Sequence, residues 1–288
     1  MSNPPIDIAA IVINPQKPET EGDALQVLEY LRSQGIDAFW GRLSDPEFRT
    51  ALTERKPQVC ITLGGDGTML RAAHVCAPLG IPILGINMGR FGFLAELTPQ
   101  NWQESVPRMR AGDYWLERRL TLDAALVRNG EVLASWNVLN DIVLARGSLI
   151  RPIQLQARVD GYRLSTYLAD GLIVSTPTGS TAYSLACGGP ILPPDSRNLL
   201  ITAICPHLSM NQSVVLPETA KVEITVHTQH EALLSADGQA SVKLETEDTV
   251  TVSAGTQSAS FIRFQQGGYF YRNITRYLEN HPLIEDRT

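Results

Sequence analysis

Short apolar runs alternate with segments of helical periodicity along residues 1–115. The runs from Ile6 to Asn14, from Gln58 to Gly64 and from Ile81 to Asn87 indicate buried strands. Helices are predicted over residues 22–35, 69–80 and 98–112, the last of them imperfect because of a proline at position 107. This alternation predicts a Rossmann-like α/β domain with a mostly parallel sheet and helices on both faces.

The pattern changes near Tyr114, where apolar and polar positions begin to alternate strictly. Asn129-Gly130 and Asp160-Gly161 are hairpin signals between such alternating segments. Further short strands are predicted over residues 221–228, 231–244 and 248–256. We therefore expect an all-β, β-sandwich-like domain over residues 116–267. Helical spacing returns at the end of the chain and predicts a C-terminal helix over about residues 268–288 that packs back on the first domain.

The composition indicates a globular protein, since 43% of the 288 residues are hydrophobic and 19% are charged. A net charge of −6 without any Lys/Arg cluster argues against a nucleic-acid partner. No run approaches the roughly 18 apolar residues of a membrane span, and the N-terminus lacks a signal-peptide pattern. The cysteines form no C-x-x-C pair, and we interpret them as reduced thiols of a cytoplasmic protein: Cys60, Cys76, Cys187 and Cys205.

A glycine-rich pentapeptide, Gly64-Gly65-Asp66-Gly67-Thr68, follows a predicted strand and precedes a predicted helix. Its glycines allow a sharp turn and a close approach to a ligand, and the N–H groups at a helix start suit phosphate. A carboxylate repels phosphate unless it contacts a metal ion carried by ATP or accepts the proton of an attacking hydroxyl. The alternative is a plain Asp-Gly turn, and the pattern fits neither a Walker A loop nor G-x-G-x-x-G.

Two further polar segments are candidate binding sites. Residues 170–184 run from a strand into a turn rich in proline, glycine and hydroxyl groups, which suit phosphate or ribose oxygens, and Tyr183 can stack on a base. Asn140-Asp141 combines an amide and a carboxylate that can hold ribose hydroxyls and a base edge. Taken alone, the first segment more often caps a helix and the second more often forms a turn.

His227 and His230, with Glu231, invite a metal interpretation. Side chains three residues apart on a strand point to opposite faces, so we predict no metal site from these residues.

Four motifs, in their order and at their distances, resemble the NAD kinase family: GGDGT, NMGRFGFL (Asn87 to Leu94), NDIVL and DGLIVSTPTGSTAYSLACGGP. The resemblance covers about residues 58 to 280. GGDGT also occurs in diacylglycerol and sphingosine kinases and in phosphofructokinases, and the last motif separates this chain from them. The polar set of Asn140, Asp141 and Asp170 also argues against the apolar channel that a lipid acceptor needs.

The resemblance implies transfer of a phosphoryl group from ATP, with Mg²⁺ or another divalent cation, to the 2′-hydroxyl of the adenosine ribose of NAD, which gives NADP. It implies that Asp66 is the catalytic proton acceptor, that Arg71 and Arg151 supply positive charge near phosphate, and that Asp170 contacts the nicotinamide amide. The implied phosphate loop consists of Gly64, Gly65, Gly67 and Thr68. The implied NAD-binding residues are Asp66, Gly67, Arg71, Asn140, Asp141, Arg151, Asp170, Thr181, Ala182, Tyr183, Ser184 and Gln239. The family also implies a homo-oligomer, a dimer or tetramer.

The chain departs from the family pattern at two points. Leu168 stands where many bacterial members have Arg, and Gln212-Ser213 stands where many have Arg-Pro, which puts charged contacts at those points in doubt. Two alternatives remain open: a lipid or sugar kinase of the GGDGT type, and a catalytically silent NAD(P)-binding regulator. Asp66 argues against a regulator, because a pure binder gains nothing from a carboxylate aimed at a phosphate site.

Overall fold

The computed structural model describes residues 3–13, 20–89, 92–207, 209–266, 268–272 and 274. The chain divides into two compact units. Unit 1 comprises Met1–Arg118 together with Ala259–Thr288, and unit 2 comprises Arg119–Ser258.

Unit 1 alternates strands and helices. Its elements are β1 (Ile8–Ile13), α1 (Thr20–Ser33), β2 (Asp37–Gly41), α2 (Pro46–Arg55), β3 (Val59–Leu63), α3 (Asp66–Cys76), β4 (Ile83–Ile86) and α4 (Trp102–Arg110). The strands form a parallel sheet in the order β2-β1-β3-β4. This arrangement confirms the predicted α/β class of the N-terminal part of the chain.

The strands that the apolar pattern predicts are those whose side chains are buried. β1, β3 and β4 are almost entirely buried, as expected of inner strands in a parallel sheet. α3 begins at Asp66, three residues before the predicted start at Met69, because the polar Asp-Gly-Thr stretch forms the first helical turn. β2 and α2 are absent from the prediction, since α2 buries only Phe48 and Leu52 and therefore has no clear apolar stripe.

The described residues of unit 2 form strands, a 3-10 turn and a short helix. β5 (Trp115–Arg128) carries the chain out of unit 1, and β16 (Thr249–Arg263) returns to unit 1, where Phe261 pairs in parallel with Ile83 of β4. The elements are β5 (Trp115–Arg128), β6 (Glu131–Val138), β7 (Asp141–Arg146), β8 (Ile153–Val159), β9 (Tyr162–Ala169), β10 (Gly171–Ser175), a 3-10 turn (Gly179–Thr181), α5 (Tyr183–Ala186), β11 (Asn198–Ile204), β12 (Val214–Pro217), β13 (Val222–His227), β14 (Ala232–Ala236), β15 (Val242–Leu244) and β16 (Thr249–Arg263).

Two antiparallel layers of strands share one apolar core in unit 2. One layer has the order β12-β11-β10-β7-β14-β15, and the other contains β16-β13-β8-β9 with β5 and β6. Alternate residues of both layers point into the core, for example Val222 and Ile224 on β13 and Ala232 and Leu234 on β14. The predicted β-sandwich-like class of the C-terminal part is therefore confirmed.

Both predicted hairpin turns occur where their sequences place them. Asn129-Gly130 joins β5 to β6 with φ angles of 52° and 81°, and Asp160-Gly161 joins β8 to β9 with φ angles of 51° and 81°. Two consecutive positive φ angles match the twist of a two-residue hairpin, which explains the preference for Asn-Gly and Asp-Gly. The sequence analysis misses β11 and β12, which carry no such turn signal between them.

Residues 269–272 and residue 274 are helical, and the rest of the predicted C-terminal helix lies outside the described residues. Among the residues that the structure describes, no helix is both long enough and apolar enough to cross a membrane. The cysteines are all free thiols: Cys60 and Cys76 are buried, Cys187 is half-buried and Cys205 is exposed.

Candidate active site

The glycine-rich pentapeptide lies at the carboxyl end of β3, a central strand of the parallel sheet. Gly64 follows the strand, Gly65 precedes the helix, and Asp66 is the first residue of α3. A side chain at Gly64 would bring its Cβ within 2.4 Å of Thr68 Oγ1, so the turn requires glycine there. Backbone N–H groups in the first turn of a helix lack intrahelical partners, which makes this helix start suitable for an anion.

The carboxylate of Asp66 is held by two backbone amides from a distant part of unit 1. The N–H of Phe93 donates to Asp66 Oδ2 with an N···O distance of 2.8 Å, and the N–H of Leu94 donates to Oδ1 at 3.1 Å. A Cβ at Gly92 would lie 2.2 Å from Asp66 Oδ1, so the backbone approaches more closely than any side chain permits. Asp66 therefore has a fixed orientation at the start of α3.

This fixed carboxylate retains the capacity to accept a proton. A carboxylate has about four lone-pair sites, and the two amides use two of them. Asp66 is half-buried, and the neighbouring Gly67 is exposed, so the loop is accessible to a ligand. Arg71 is exposed on the same helix. It lies roughly 1.4 turns after Asp66 and thus on another face of α3.

In unit 2, Asp237 shapes the turn at Asn140-Asp141. Its carboxylate accepts three consecutive backbone N–H groups, from Leu139 at 2.7 Å, Asn140 at 2.8 Å and Asp141 at 3.0 Å. The N–H of Asp237 donates in return to the carbonyl of Asp141 at 3.0 Å. Asp237 is only 8% exposed, so a buried charge organises the predicted binding turn.

The hydroxyl-rich turn after β10 is bonded to the same segment. Thr176 Oγ1 donates to the carbonyl of Leu139 at 2.5 Å, and the N–H of Thr176 donates to the carbonyl of Asn140 at 2.9 Å. The N–H of Gly179 donates to Thr176 Oγ1 at 3.0 Å, and a Cβ at Gly179 would lie 2.1 Å from the carbonyl oxygen of Asn140. The structure thus brings together two motifs that lie about 35 residues apart in the sequence.

Asp141 is a buried carboxyl beside a second carboxylate. It is 6% exposed, and burial, followed by the charge of Asp237, raises its pKa to about 7. Near neutral pH Asp141 can therefore exist as a neutral acid or as a carboxylate. The neutral acid can donate one hydrogen bond, and both the acid and the carboxylate can accept hydrogen bonds. Asp141 can therefore pair with a ribose hydroxyl or with a base edge.

Asp170 and Tyr183 occupy one neighbourhood at the other end of β10. Asp170 forms an ion pair with Arg146, whose Nε lies 3.0 Å from Asp170 Oδ1. Tyr183 is 45% exposed, and its pKa is raised by partial burial and then by nearby acidic groups that include Asp170. An exposed aromatic ring near a carboxylate can stack on a flat ligand while the carboxylate accepts hydrogen bonds from it.

The remaining predicted residues of the TPTGSTAYS segment differ in their burial and in whether their hydroxyl groups have protein partners. Ser184 is fully buried, and its Oγ lies 2.9 Å from Thr202 Oγ1. Thr181, the last residue of the 3-10 turn, and Ala182, which precedes α5, are half-buried. Thr181 Oγ1 donates to the carbonyl of Thr178 at 3.1 Å. The buried hydroxyl of Ser184 therefore already has a protein partner, whereas Thr181 and Ala182 lie nearer the surface.

The other predicted residues are placed on the surface of unit 2. Arg151 and Gln239 are both exposed, and the N–H of Gln239 donates to the carbonyl of Ala236 at 3.0 Å. Leu168, one of the two points where the sequence departs from the expected pattern, is 42% exposed on β9. His227 Nδ1 lies 2.9 Å from Glu247 Oε1. Arg151 and Gln239 thus lie outside the buried hydrogen-bonded turn at Asn140.

The sequence analysis misses the groups that hold these sites in place. Phe93 and Leu94 act through backbone N–H groups, which no residue type reveals. Asp237 precedes a glycine, and this pair signals a turn but not a carboxylate aimed at residues 139–141. Arg146 lies two residues after the NDIVL segment, and the sequence around it gives no sign of its pairing with Asp170.

Known proteins resemble this chain over nearly its whole length. Residues 44–114 match the family model described as the ATP-NAD kinase N-terminal domain, and residues 139–264 match the ATP-NAD kinase C-terminal domain. An NAD kinase of Dehalococcoides mccartyi (strain CBDB1) is 36% identical over 279 residues, which cover 96% of this chain and 98% of the relative. An NAD kinase of Koribacter versatilis (strain Ellin345) is 37% identical over 265 residues, which cover 89% of this chain and 93% of the relative.

Two solved structures share the fold. Yeast NADH kinase complexed with NADH superposes with a TM-score of 0.83 at 23% identity, over 95% of this chain and 88% of that chain, a likeness that concerns the fold alone. An NAD kinase from Archaeoglobus fulgidus in complex with ATP superposes with a TM-score of 0.76 at 25% identity, over 95% of this chain and 99% of that chain.

Proposed function

Because this chain belongs to the NAD kinase family and is therefore an ATP-dependent phosphotransferase that acts on NAD, we propose that Asp66 accepts the proton of the 2′-hydroxyl of the adenosine ribose. The observation that carries this proposal is the fixed carboxylate of Asp66. The amides of Phe93 and Leu94 orient it without using all its lone pairs, and it lies at a helix start that suits phosphate.

In the proposed reaction, the ribose oxygen attacks the γ-phosphorus of ATP while its proton passes to Asp66. The bond between the γ-phosphorus and the oxygen that bridges to the β-phosphate breaks, and ADP leaves with that electron pair. The transition state is loose, so positioning and neutralisation of charge matter more than the strength of the base. The loop formed by Gly64, Gly65, Gly67 and Thr68 positions the phosphates in this proposal.

Mg²⁺ or another divalent cation enters with ATP in this proposal. Within the described residues, no three His, Cys, Asp or Glu side chains are grouped to hold a metal ion. Mg²⁺ commonly binds through one or two carboxylates together with substrate phosphates and water. In this proposal the phosphates of ATP therefore supply most of the ligands of the ion. When bound, the ion neutralises charge on the transferred phosphoryl group.

Unit 2 contains most of the NAD-binding residues in the proposal. Asn140 and Asp141 bind ribose and adenine, and Asp170 contacts the nicotinamide amide. The support for this assignment is that Asp237 and Thr176 hold the Asn140-Asp141 turn through the hydrogen bonds described above. The rest of the proposed NAD-binding set is Gly67, Arg71, Arg151, Thr181, Ala182, Tyr183, Ser184 and Gln239.

We also propose that the protein is a cytoplasmic homo-oligomer, a dimer or tetramer, whose partners are NAD and ATP rather than nucleic acid or membrane. The net charge of −6 supports the absence of a nucleic-acid partner, and the free cysteines support a reducing compartment. Sedimentation analysis would measure the oligomeric state, and a monomer at micromolar concentration would contradict it.

The experiment is a coupled assay for NADP formation from NAD, ATP and Mg²⁺, with NADH, diacylglycerol and fructose 6-phosphate as parallel acceptors. We expect NADP formation whose rate Asp66→Asn lowers by orders of magnitude, while calorimetry still detects NAD binding. Asp45→Asn makes the same change before α2, at an exposed position, and should leave turnover unchanged. Phosphorylation of the lipid or the sugar alone would favour the lipid or sugar kinase, and NAD binding without turnover would favour the regulator.

A further inference from the structure

A buried ionic cluster lies in unit 1 outside the groups used in the proposed reaction. Arg263 is 1% exposed and Glu117 is 2% exposed. The Nε and Nη2 atoms of Arg263 lie 2.9 and 2.8 Å from Glu117 Oε2, and the hydroxyl of Tyr269 donates to Glu117 Oε1 at 2.8 Å. A buried ion pair is often no more stabilising than apolar residues of similar volume, so stability alone does not account for this cluster.

The cluster is hydrogen-bonded to Leu94, one of the two residues whose backbone N–H groups hold Asp66. The Nη1 atom of Arg263 donates to the carbonyl oxygen of Leu94 at 2.9 Å. The N–H of the same residue, Leu94, donates to Asp66 Oδ1 at 3.1 Å. A single residue therefore connects the buried guanidinium to the carboxylate of the proposed base.

A second contact fixes the same segment two residues further along. The carboxylate of Glu96 accepts the N–H of Phe264 at 3.1 Å and the N–H of Gln265 at 2.8 Å. Residues 94–96 are thus bonded at both ends to residues 263–265. With the carbonyl of Leu94 and the side chain of Glu96 both held, the segment that directly follows the Leu94 N–H is anchored at two points.

We propose that Arg263 is a positioning residue, which holds the carbonyl of Leu94 and so keeps the amides of Phe93 and Leu94 aimed at Asp66. The proposal rests on the role of Asp66 as base in the proposed function. Arg263 acts on the placement of the carboxylate and not on either substrate, so its loss lowers kcat and leaves KM for NAD and for ATP nearly unchanged.

The test compares Arg263→Gln with a matched control in unit 2. Arg128 also contacts a buried carboxylate at two points: its Nε and Nη2 atoms donate to the two carboxylate oxygens of Asp248 at 2.7 and 2.8 Å. This pair belongs to unit 2, whereas Asp66 belongs to unit 1. We expect Arg263→Gln to lower kcat by about 10- to 100-fold, with each KM changed by less than about 3-fold. Arg128→Gln likewise leaves a buried carboxylate without its partner, so it should lower the melting temperature while kcat stays unchanged.

A double-mutant cycle shows whether Arg263 acts through Asp66. Residues that work as one unit give non-additive losses, so Asp66→Asn/Arg263→Gln should be no slower than Asp66→Asn alone. Full kcat in folded Arg263→Gln, or a loss that adds fully to that of Asp66→Asn, would overturn the proposal. Asp66→Asn by itself tests the proposed base, and wild-type turnover in that variant would overturn both the base and its positioning.

Milder variants keep the test available if Arg263→Gln does not fold. Arg263→Lys keeps the charge, but one ammonium cannot reach both Glu117 and Leu94 in the same geometry, so kcat should still fall by about 10-fold. Tyr269→Phe removes a single hydroxyl from Glu117 and should lower kcat by about 2- to 5-fold. Wild-type kcat in both folded variants would contradict a positioning role.

Discussion

Asp66 in unit 1 and Asp237 in unit 2 both accept neighbouring backbone N–H groups, yet the two carboxylates are used differently. Asp66 accepts two N–H groups, is half-buried and lies beside the exposed Gly67. Asp237 accepts three N–H groups and is 8% exposed. The protein therefore consumes more of the hydrogen-bonding capacity of Asp237 than of Asp66. The same kind of contact orients the proposed base in unit 1 and shapes the proposed binding turn in unit 2.

Replacing each carboxylate by an amide tests this comparison most strongly. Asp66→Asn removes the proposed base, so kcat should fall by about 10²- to 10⁴-fold. Its amide NH₂ meets one of two backbone N–H groups at a half-buried site, so the free energy of unfolding should fall by less than in Asp237→Asn. Asp237→Asn places an amide NH₂ against buried backbone N–H groups, which should cost about 1–3 kcal/mol of stability and raise KM for NAD. Steady-state kinetics and denaturant unfolding measure both effects. Equal losses of kcat in the two variants would contradict the division of roles.

The pH dependence of stability should reveal the raised pKa of Asp141. Because the folded protein keeps a proton on Asp141 up to its pKa of about 7, and the unfolded chain releases it near pH 4, stability falls as pH rises between these values. The difference amounts to at most roughly 4 kcal/mol. Asp141→Asn cannot ionise and should therefore gain stability relative to wild type across this window.

Urea unfolding of wild type and Asp141→Asn, without ligand, at intervals from pH 4 to pH 8 measures this difference. Asp170→Asn is the control, since Asp170 is only partly buried and pairs with Arg146. A difference between wild type and Asp141→Asn that stays constant with pH would show that the carboxyl of Asp141 is not held neutral.

The regular parts of the fold are predictable because their signals are local. The apolar runs of β1, β3 and β4 predict buried strands, and Asn129-Gly130 and Asp160-Gly161 predict hairpins from two residues each. α2 could not be predicted in this way, because its few buried side chains do not form a stripe that stands out in the sequence.

The site is predictable only in part, because its supporting contacts are not local. The position of Asp66 after a strand follows from the sequence, but its partners Phe93 and Leu94 lie 27 and 28 residues further along. The contact of Asp237 with the Asn140 turn spans 97 residues, and the contact of Arg263 with Leu94 spans 169. Periodicity and turn propensity describe neighbours in sequence, so such contacts require the folded structure.

Two glycines offer a smaller test of the same comparison. At Gly92 an added Cβ meets the oxygen of a side chain, Asp66 Oδ1 at 2.2 Å, whereas at Gly179 it meets backbone, the carbonyl oxygen of Asn140 at 2.1 Å. A side chain can move aside, so Gly92→Ala should displace Asp66 and lower kcat by about 10- to 100-fold with little loss of stability. Gly179→Ala should cost about 1–3 kcal/mol of stability and raise KM for NAD, because the backbone must shift.

Kinetics and thermal unfolding of the two alanine variants check this prediction. Gly22→Ala in α1 is the control, since no atom lies within 4 Å of an added Cβ there. It should leave kcat unchanged and stabilise the protein by up to about 1 kcal/mol, because alanine favours a helix more than glycine does. An unchanged kcat in Gly92→Ala would show that the close approach of Gly92 does not determine where Asp66 lies.

The smallest expected effect separates the two causes of the raised pKa of Asp141. Burial is the larger cause and the charge of Asp237 is the smaller one. Of these two causes, Asp237→Asn removes the charge and leaves the burial of Asp141. The pKa of Asp141, which sets the upper end of the pH window, should therefore fall but remain above the ordinary value for an aspartate. Comparing Asp237→Asn with Asp141→Asn/Asp237→Asn over the same pH range isolates Asp141. An unchanged upper end would mean that Asp141 does not respond to its neighbour's charge.

Asp237 also accepts the backbone N–H of Asp141. The loss of this hydrogen bond in Asp237→Asn should lower stability at every pH, whereas the loss of the charge should appear only as a shift of the pH window to lower values. The two roles of one buried carboxylate, shaping the turn and setting the protonation of its neighbour, can thus be measured in a single variant.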